Sequence, residues 1–398
     1  MNGQEGWTAE LEAEVLAAAA EAGFQLSGIA AAEGDPAGRD GRFAAWVESG
    51  RAGEMAYLKR RDSGGALLRS GLRVAIPWAR SIVVCALDYS SSEPRSIDQA
   101  PKGAGWIGRY AWSGRKSGSR ELRSGLSQEE PESDETLPLL PTDYHEELLA
   151  RLRQVEARLR ARVPCETRCY VDTGPIVERE FAAKAGLGWI GKNTCVLNQE
   201  LGSWLLLGVI VTSLPVSVEA TLSLVADRCG SCTRCIDACP TDALVAPREM
   251  DASRCIAYLT IEKKGTIAQE LRGGMGRQVF GCDICQDVCP WNTRHLGGNR
   301  KRPIAVTSGM QVRPELVNPP LEWLAGMDSK AFKRWFKGSP LERTGRKRLH
   351  RNVAIAMGNS GEREFLPQLA AWADGEDEVL AEAAKWAMER IRLAEGVC

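Results

Sequence analysis

Cysteine is the residue type whose spacing in this sequence suggests chemistry most directly. The chain has 13 cysteines in 398 residues, and eight of them lie between positions 229 and 289. The first four follow the pattern Cys-x2-Cys-x2-Cys-x3-Cys-Pro, and three more repeat the end of that pattern after an isolated Cys255. Thiolates at this spacing are typical of proteins that bind [4Fe-4S] clusters.

The two runs also predict how the cysteines divide between clusters. In two-cluster ferredoxins, a compact run supplies three thiolates to one cluster, and its cysteine before proline binds the other cluster. One [4Fe-4S] cluster is therefore predicted to be bound by Cys229, Cys232, Cys235 and Cys289. The second cluster is predicted to be bound by Cys239, Cys255, Cys282 and Cys285. In this assignment Cys255 replaces the first cysteine that the second run lacks.

Structural zinc and unligated thiols are the alternative interpretations of these cysteines. Zinc ribbons leave a longer gap between cysteine pairs, and the two Cys-Pro endings have no role in them. The five other cysteines have no partner set, so we expect packed or surface thiols there. They are Cys85, which lies in a strand-like run, Cys165, Cys169, Cys195 and Cys398.

The composition indicates a soluble globular protein without a strong overall charge. The formal charge is 51 − 52 = −1, so a polyanion would have to bind a local basic patch. The longest apolar stretch, residues 204–211, is too short to span a bilayer, and the first basic residue is Arg39. We therefore expect no secretory signal, no membrane span and a reducing cytoplasmic location. With three histidines, histidine-based zinc or iron chemistry is disfavoured.

The segments before the cysteine-rich region alternate between strand and helix patterns, which predicts an α/β or α+β fold. The predicted strands are residues 24–32, 79–89, 166–173 and 203–213. The predicted helices are residues 8–22, 42–49, 53–61, 143–162 and 175–186, with Pro175 in the first turn of the last. Residues 113–142 have no apolar period, so we predict a disordered or loosely held loop.

The segment after the cysteines is predicted to be helical and locally basic. Residues 328–336, 340–358 and 362–395 have helical periodicity, which allows one or two α-solenoid repeats. Residues 330–351 contain nine lysines and arginines and one acidic residue, Glu342. Such a patch can contact nucleic-acid phosphates, and a solvated helix face is the equally weighted alternative.

Motifs along most of the chain resemble the epoxyqueuosine reductase family. They occur in that family's order: GEMAYL (53–58), GRYA (108–111), DYH (143–145), VDTGPIVERE (171–180), GLGWIGKNT (186–194), CGSCTRCIDACPTDAL (229–244), RCIAYLTIE (254–262), GCDICQDVCPWN (281–292) and LHRNVAIAMGN (349–359). The resemblance implies an enzyme that reduces epoxyqueuosine to queuosine at the wobble position of tRNA. It also implies cobalamin, which receives electrons from two [4Fe-4S] clusters and from a low-potential donor beyond them.

The resemblance further implies an α+β fold to which a ferredoxin-like domain and a helical domain are added. Residues 1–222 are expected to form a nitroreductase-like cobalamin domain, and residues 223–300 a ferredoxin-like two-cluster domain. Residues 301–398 are expected to form an α-helical, HEAT-like domain that contacts the anticodon region of tRNA. We expect a monomer.

Asp172 is the residue that the resemblance identifies as the general acid. From the residues alone, Asp-Thr-Gly-Pro before a helix favours an N-cap instead. If Asp172 is the acid, we expect an apolar crevice under a corrin ring to raise the pKa of its carboxyl. The expected cobalamin contacts are Arg109, Tyr110, Asp172, Lys192, Asn193, Thr194 and Asp283. The expected tRNA contacts are Arg343, Arg346, Lys347, Arg348 and Arg351.

Two other function classes remain open at the level of the sequence. A corrinoid enzyme of the reductive dehalogenase type would act on a small molecule, which leaves the basic helical segment unexplained. A non-catalytic ferredoxin-type electron carrier would leave about 220 N-terminal residues without a task.

Overall fold

The computed structural model describes residues 6–33, 41–115, 139–216, 225–292 and 311–395. Its strands are β1 (Leu26–Ala31), β2 (Ser81–Asp88), β3 (Trp106–Ile107), β4 (Ser113–Arg115), β5 (Leu140–Pro141), β6 (Thr167–Tyr170), β7 (Trp189–Ile190), β8 (Val196–Leu197), β9 (Leu205–Thr212), β10 (Leu244–Ala246), β11 (Glu249–Met250), β12 (Gln278–Phe280) and β13 (Gln311–Val312). Its helices before residue 300 are α1 (Ala9–Glu21), α2 (Arg42–Glu48), α3 (Leu72–Ala75), α4 (Tyr144–Arg162), α5 (Glu178–Lys184), α6 (Arg234–Asp237), α7 (Ile256–Ile261), α8 (Gln269–Arg272) and α9 (Ile284–Asp287). Five helices follow: α10 (Leu321–Ala325), α11 (Ser329–Phe336), α12 (Gly345–Ser360), α13 (Leu366–Ala373) and α14 (Glu378–Glu395).

An antiparallel four-stranded sheet of order β1-β2-β9-β6 organises the N-terminal part. Strand β2 is rich in β-branched and apolar residues, and both of its faces are covered. Val83, Cys85 and Leu87 contact the core under α1 and α4, while the alternate residues Ile82 and Val84 face the core that includes α5. This two-residue alternation is what a strand buried on both sides requires. The four predicted strands and the buried position of Cys85 are confirmed.

The helices on this sheet begin where the sequence places capping side chains. Thr8 Oγ1 accepts a hydrogen bond from the Leu11 amide at 3.2 Å, and α1 starts at the next residue. Asp143 Oδ1 accepts from the His145 amide at 3.0 Å and caps α4. Side-chain caps of this kind satisfy amides that have no partner within the helix. The start of α4 therefore fixes where the DYH motif lies.

Three local predictions differ from the structure. Helix α5 begins at Glu178, so Pro175 precedes it instead of lying in its first turn. Within residues 53–61 the helix is a short 3-10 turn, Ala56–Lys59. The ends of the predicted loop 113–142 are ordered, because β4 pairs with both β5 and β13; its centre, residues 116–138, lies outside the described residues.

A second core joins parts of the chain that are far apart in sequence. Strand β3 pairs in parallel with β12, and Trp106 and Trp112 pack into one hydrophobic cluster with residues from both later segments. Phe280 comes from the cysteine-rich segment and Leu349 from α12. The predicted boundaries at residues 222 and 300 are thus crossed by a common core. In the described ranges, no helix is long and apolar enough to cross a membrane.

Helix α12 holds the cysteine-rich segment through buried polar side chains. Asn352, fully buried, donates from Nδ2 to the carbonyls of Thr260 (2.8 Å) and Val279 (2.9 Å). Its neighbour Arg351 is 1 % exposed and donates to the carbonyls of Leu259, Lys263 and Gly265 at 2.6–2.9 Å. These carbonyls lie in or just after α7, which starts beside Cys255, so α12 fixes the position of a predicted cluster ligand.

We predict that Asn352→Ala destabilises the protein strongly. Two buried carbonyls would lose their donor, and each unpaired group costs about 1–3 kcal/mol. Lys385→Ala, on the exposed face of α14, is the matched control and should change the free energy of unfolding by less than about 0.5 kcal/mol. Urea denaturation followed by tryptophan fluorescence measures both. Equal midpoints for the two variants would contradict this role of Asn352.

Candidate functional site

The candidate acid, Asp172, lies at the end of β6, in a left-handed conformation with φ = 57°. Its side chain is 69 % exposed and is approached by two groups from the start of α4. The Tyr144 hydroxyl donates to Asp172 Oδ2 at 3.3 Å, and His145 Nε2 lies 3.7 Å from the same oxygen. The structure therefore brings the DYH and DTGP motifs together around one carboxylate.

The protonation of Asp172 differs from the expectation based on sequence. His145, and to a smaller extent Tyr144, hold the pKa of Asp172 below its ordinary value, against the opposing effect of burial. The predicted rise depends on an apolar crevice under a corrin ring; in this structure the carboxyl faces the His145 ring and solvent instead. The N-cap interpretation is wrong. The residue that precedes α5 is Val177, and no side chain caps that helix.

His145 is held by a network that includes the helical segment. Its Nδ1 lies 2.8 Å from Asp143 Oδ1, and Arg343 Nη2 donates to Asp143 Oδ2 at 2.8 Å. Although burial disfavours the imidazolium, hydrogen bonding to Asp143 and Asp172 raises the pKa of His145 above its ordinary value. A cavity of about 420 Å³ opens here, lined in part by His145, Thr173 and Arg343.

The thiols of the predicted first cluster are neighbours. Burial raises the pKa of Cys235 to about 11, and the nearby Cys289 and Cys229 raise it in turn. After burial, Cys229 and Cys232 also raise the pKa of Cys289. These contributions indicate that Cys289, from the second run, lies near the cysteines of the first, and Cys229 packs against the same hydrophobic cluster as Cys289. Four thiols in one group provide the donor set that a [4Fe-4S] cluster requires.

The remaining four cysteines are the predicted second group. Besides burial, Cys255 and Cys239 raise the pKa of Cys282. The pKa of Cys285 is raised by burial and then by Cys195, Cys282, Cys255 and Cys235, so the two groups adjoin each other. Cys195 was expected to be a plain packed thiol. It lies beside both groups, because Cys289, Cys255 and Cys235 all contribute after burial to raising its pKa to about 11.

Comparison with known proteins agrees with this geometry. The family model for a 4Fe-4S double cluster binding domain matches residues 228–292, which contain all eight cysteines. The epoxyqueuosine reductase of Xanthomonas campestris pv. campestris is 33 % identical over 379 residues, 94 % of this chain and 95 % of the relative. That of Pseudomonas aeruginosa is 35 % identical over 375 residues, 93 % of this chain and 91 % of the relative.

The chain belongs to the epoxyqueuosine reductase family. Solved structures agree with this assignment. A crystal structure of epoxyqueuosine reductase with an epoxyqueuosine-modified tRNA stem loop superimposes with a TM-score of 0.76 at 28 % identity, covering 96 % of this chain and 90 % of that one. The enzyme from Streptococcus thermophilus gives a TM-score of 0.74 at 26 % identity, covering 95 % and 90 %. The fold is thus a mixed α/β fold with a 4Fe-4S binding domain.

Several side chains expected to contact cobalamin in this family member are engaged inside the protein. Asp283 is 2 % exposed, and its Oδ2 accepts from Trp106 Nε1 (3.1 Å) and the Arg109 amide (2.8 Å). The Arg109 guanidinium donates to the carbonyls of Ser91 and Pro94 at 3.0 and 3.2 Å. Both side chains make internal contacts here, between the GRYA segment, the second cluster loop and residues 91–94.

The GKNT loop also makes contacts other than those expected. Lys192 Nζ donates to the carbonyls of Gly230 (2.7 Å) and Cys232 (2.9 Å), in the loop of the first cluster. Asn193 Nδ2 donates to the Cys285 carbonyl of the second cluster loop at 3.4 Å. Thr194 accepts a hydrogen bond from Arg179, while Tyr110 packs between the rings of Tyr144 and Phe280. The loop therefore bridges the two cluster loops.

Glu178 is a candidate site residue that the sequence analysis missed. Burial raises the pKa of its carboxyl to about 7, with a smaller contribution from the charge of Asp172. Its Oε1 is buried and has no hydrogen-bond partner among the described groups. In the sequence, Glu178 is marked by its place in the VDTGPIVERE motif, six residues after Asp172. The sequence alone does not distinguish it from a glutamate at an exposed helix start.

The predicted tRNA patch contains residues with internal roles. Arg351 is buried and bonded to carbonyls, so the prediction that it contacts tRNA is wrong. Arg348 donates to the carbonyls of Ile261, Arg343 and Thr344 at 2.6–2.7 Å, which corrects its expected role as well. The Lys347 side chain is 78 % exposed and pairs with Asp377 Oδ2 at 3.3 Å, and Arg346 is partly exposed beside His350.

The crossed arrangement predicts which cluster fails when Cys289 is replaced. Cys289→Ala should lose the cluster of Cys229, Cys232 and Cys235 and keep the other, so iron falls from about eight to about four per chain. Iron analysis and electron paramagnetic resonance of anaerobically reconstituted protein measure this. Cys165→Ala, outside both thiol groups, should retain both clusters. Selective loss of the cluster of Cys239, Cys255, Cys282 and Cys285 would exclude the crossed assignment.

Proposed function

We infer that this protein reduces epoxyqueuosine to queuosine in tRNA. The observation that carries this inference is the joining of two thiol groups and the Asp172–His145 pair within one fold of the epoxyqueuosine reductase family. Conversion of an epoxide to an alkene breaks two C–O bonds, forms a C=C bond and releases water. It consumes two electrons and two protons. The two thiol groups would hold the source of the electrons, and the Asp172 pair would supply the protons.

Cobalamin is the proposed two-electron cofactor. The buried, unpartnered Glu178 Oε1 fits such a group, because the rim of a corrin carries amide N–H donors that need acceptors. Asp172, exposed in the neighbouring loop, and the backbone of residues 191–194 would complete the contacts. Bound there, cobalamin would supply the strongly reducing centre that the clusters alone, as one-electron carriers, do not provide.

The iron–sulfur ligands are proposed as the two groups of four cysteines described above. Lys192 and Asn193 support this assignment because they fix both cluster loops to the loop that precedes Cys195. Electrons must come from outside the chain, so we propose a low-potential donor as a partner. A structural neighbour's tRNA stem loop supports the anticodon region of tRNA as the substrate partner.

The finer architecture is proposed on the same basis. It comprises a nitroreductase-like cobalamin domain in residues 1–222, a ferredoxin-like domain in 223–300 and a HEAT-like helical domain in 301–398. The packing of α14 against both α12 and α13 supports the last of these. We propose a cytoplasmic monomer. The reductive dehalogenase and electron-carrier alternatives are not favoured, since family membership extends over most of the chain.

The decisive test is conversion of the substrate itself. Reconstituted protein, with cobalamin and a low-potential reductant, should convert epoxyqueuosine to queuosine in a tRNA anticodon stem-loop, and nucleoside mass spectrometry measures the product. Reduction of a halogenated small molecule without tRNA conversion would favour the dehalogenase alternative.

Asp172→Asn is predicted to reduce single-turnover rates by about 10²–10⁴-fold, the usual contribution of general acid catalysis. The amide keeps the shape and can accept from Tyr144, but it carries no acidic proton. Thermal stability should stay near that of the parent, since Asp172 caps no helix. As a matched control, Asp242→Asn changes another exposed aspartate with positive φ and should leave the rate unchanged. A near-parental rate for Asp172→Asn would remove Asp172 from the mechanism.

Charge reversal at the exposed part of the basic patch is predicted to weaken tRNA binding. Arg346→Glu with Lys347→Glu should lower affinity and reduce the salt dependence by about one unit of slope per lost phosphate contact. The control is Lys385→Glu with Arg392→Glu, which reverses two exposed charges on α14. Titration of labelled stem-loop at several salt concentrations measures this effect. Identical slopes in the two double variants would identify the patch as a solvated face.

A further inference from the structure

The acid site contains a cation that belongs to the C-terminal helical segment. Arg343 lies at the end of a 3-10 helix, Pro340–Arg343, about 170 residues after Asp172 in sequence. Its Nη2 donates to Asp143 Oδ2 at 2.8 Å and lies 3.1 Å from His145 Nδ1. Its guanidinium carbon lies 5.8 Å from the centre of the Tyr144 ring. Arg343 therefore touches all three residues of the DYH motif.

The chemistry of the site requires a proton carrier beside Asp172. Since His145 keeps the Asp172 pKa low, that carboxyl is ionised in this structure near neutral pH and holds no proton to give. The Tyr144 hydroxyl is the closest donor, at 3.3 Å, but burial raises its pKa well above its ordinary value, so it keeps its proton. The next titratable group is His145, whose Nε2 lies 3.7 Å from the same oxygen. Deoxygenation of an epoxide consumes two protons. If both pass through Asp172, its carboxyl must be protonated twice within each turnover.

We propose that Arg343 is a positioning residue of the acid site, which holds Asp143 and thereby fixes His145 as the proton carrier that reprotonates Asp172. The proposal rests on the proposed function for its substrate. In the balanced step, the proton moves from His145 Nε2 to Asp172 Oδ2 and then to the epoxide oxygen. After each transfer His145 takes a new proton from solvent through the cavity that it lines. Two such transfers, with two electrons from the low-potential donor, break both C–O bonds, form the C=C bond and release water.

The surroundings of His145 determine the expected direction of change. At the start of α4, Asp143 and Tyr144 contact the ring, and Asp172 faces it from the loop after β6. Arg343 faces it from the 3-10 helix, and Glu146 and Glu342 line the same cavity. Asp143 and Asp172 raise the pKa of His145, and the positive charge of Arg343 lowers it. Loss of Arg343 should thus raise the His145 pKa while leaving the ring less well held.

The first experiment measures the titration of His145 directly. With three histidines in the chain, imidazole resonances of the full-length protein with oxidised clusters can be assigned by a His145→Gln variant. Arg343→Gln should raise the His145 pKa, and Arg343→Lys should keep it near that of the parent. Asp143→Asn keeps the cap of α4 but should lower the pKa. Lys385→Gln removes an equal charge from exposed α14 and should change nothing.

The second experiment separates positioning from tRNA binding. Arg343→Gln should lower the single-turnover rate by about 10–100-fold, since small misplacements of a reacting group cost up to about that factor. Its high-pH limb, where the imidazolium is lost, should move to higher pH, while that of Asp143→Asn should move to lower pH. Stem-loop affinity and its salt slope should stay within about twofold of the parent.

Two results would overturn the proposal. An unchanged His145 pKa in both Arg343→Gln and Asp143→Asn would show that the network does not hold the ring. Weaker stem-loop binding with a flatter salt slope and an unchanged rate for bound substrate would make Arg343 a phosphate contact instead. If the parent converts no epoxyqueuosine, the proposed function fails, but the titration of His145 still decides whether the network exists.

Discussion

The buried carboxylate of Asp283 connects the cluster segment to the acid site. A carboxylate that is 2 % exposed is costly unless donors surround it, and here Trp106 Nε1 and the Arg109 amide supply two. Burial, and then the charge of Asp287, raise its pKa to about 7. Because Asp283 lies between Cys282 and Cys285, these two hydrogen bonds fix the cluster loop against the GRYA segment.

The position of the acid site follows from that contact. Tyr110, next to Arg109, packs edge-on against Tyr144 with ring centres 5.8 Å apart. The Tyr144 hydroxyl in turn donates to Asp172. A continuous set of packed and hydrogen-bonded groups thus runs from the cluster loop to the carboxylate. Electrons and protons would reach the substrate along separate routes, since the thiol groups and the His145–Arg343 network approach from different parts of the chain.

The basic residues of the C-terminal segment divide between two tasks. Arg348 and Arg351 donate hydrogen bonds to carbonyls at the end of α7 and in the segments next to it. Arg343 holds the DYH motif. Arginine suits these tasks because its planar group offers five donors at once. Lys347, with one compact charge on a flexible stem, keeps an exposed side chain that pairs with Asp377. A run of positive charge in the sequence is therefore only partly available to a nucleic acid.

The sequence by itself determined the features that depend on local pattern: the strands of the central sheet, the capped starts of α1 and α4, and the cysteine spacing of a two-cluster protein. It also brought Asp172 to attention, through a motif. Only the tertiary structure decided what each charged side chain does. Arg351, Asp283 and Lys192 were expected at ligands and instead make hydrogen bonds within the protein. Glu178 was overlooked. The low pKa of Asp172 depends on His145, and His145 depends on Arg343, which lies 198 residues away along the chain. Burial and charge are properties of the surroundings of a residue, and those surroundings exist only once distant segments pack together.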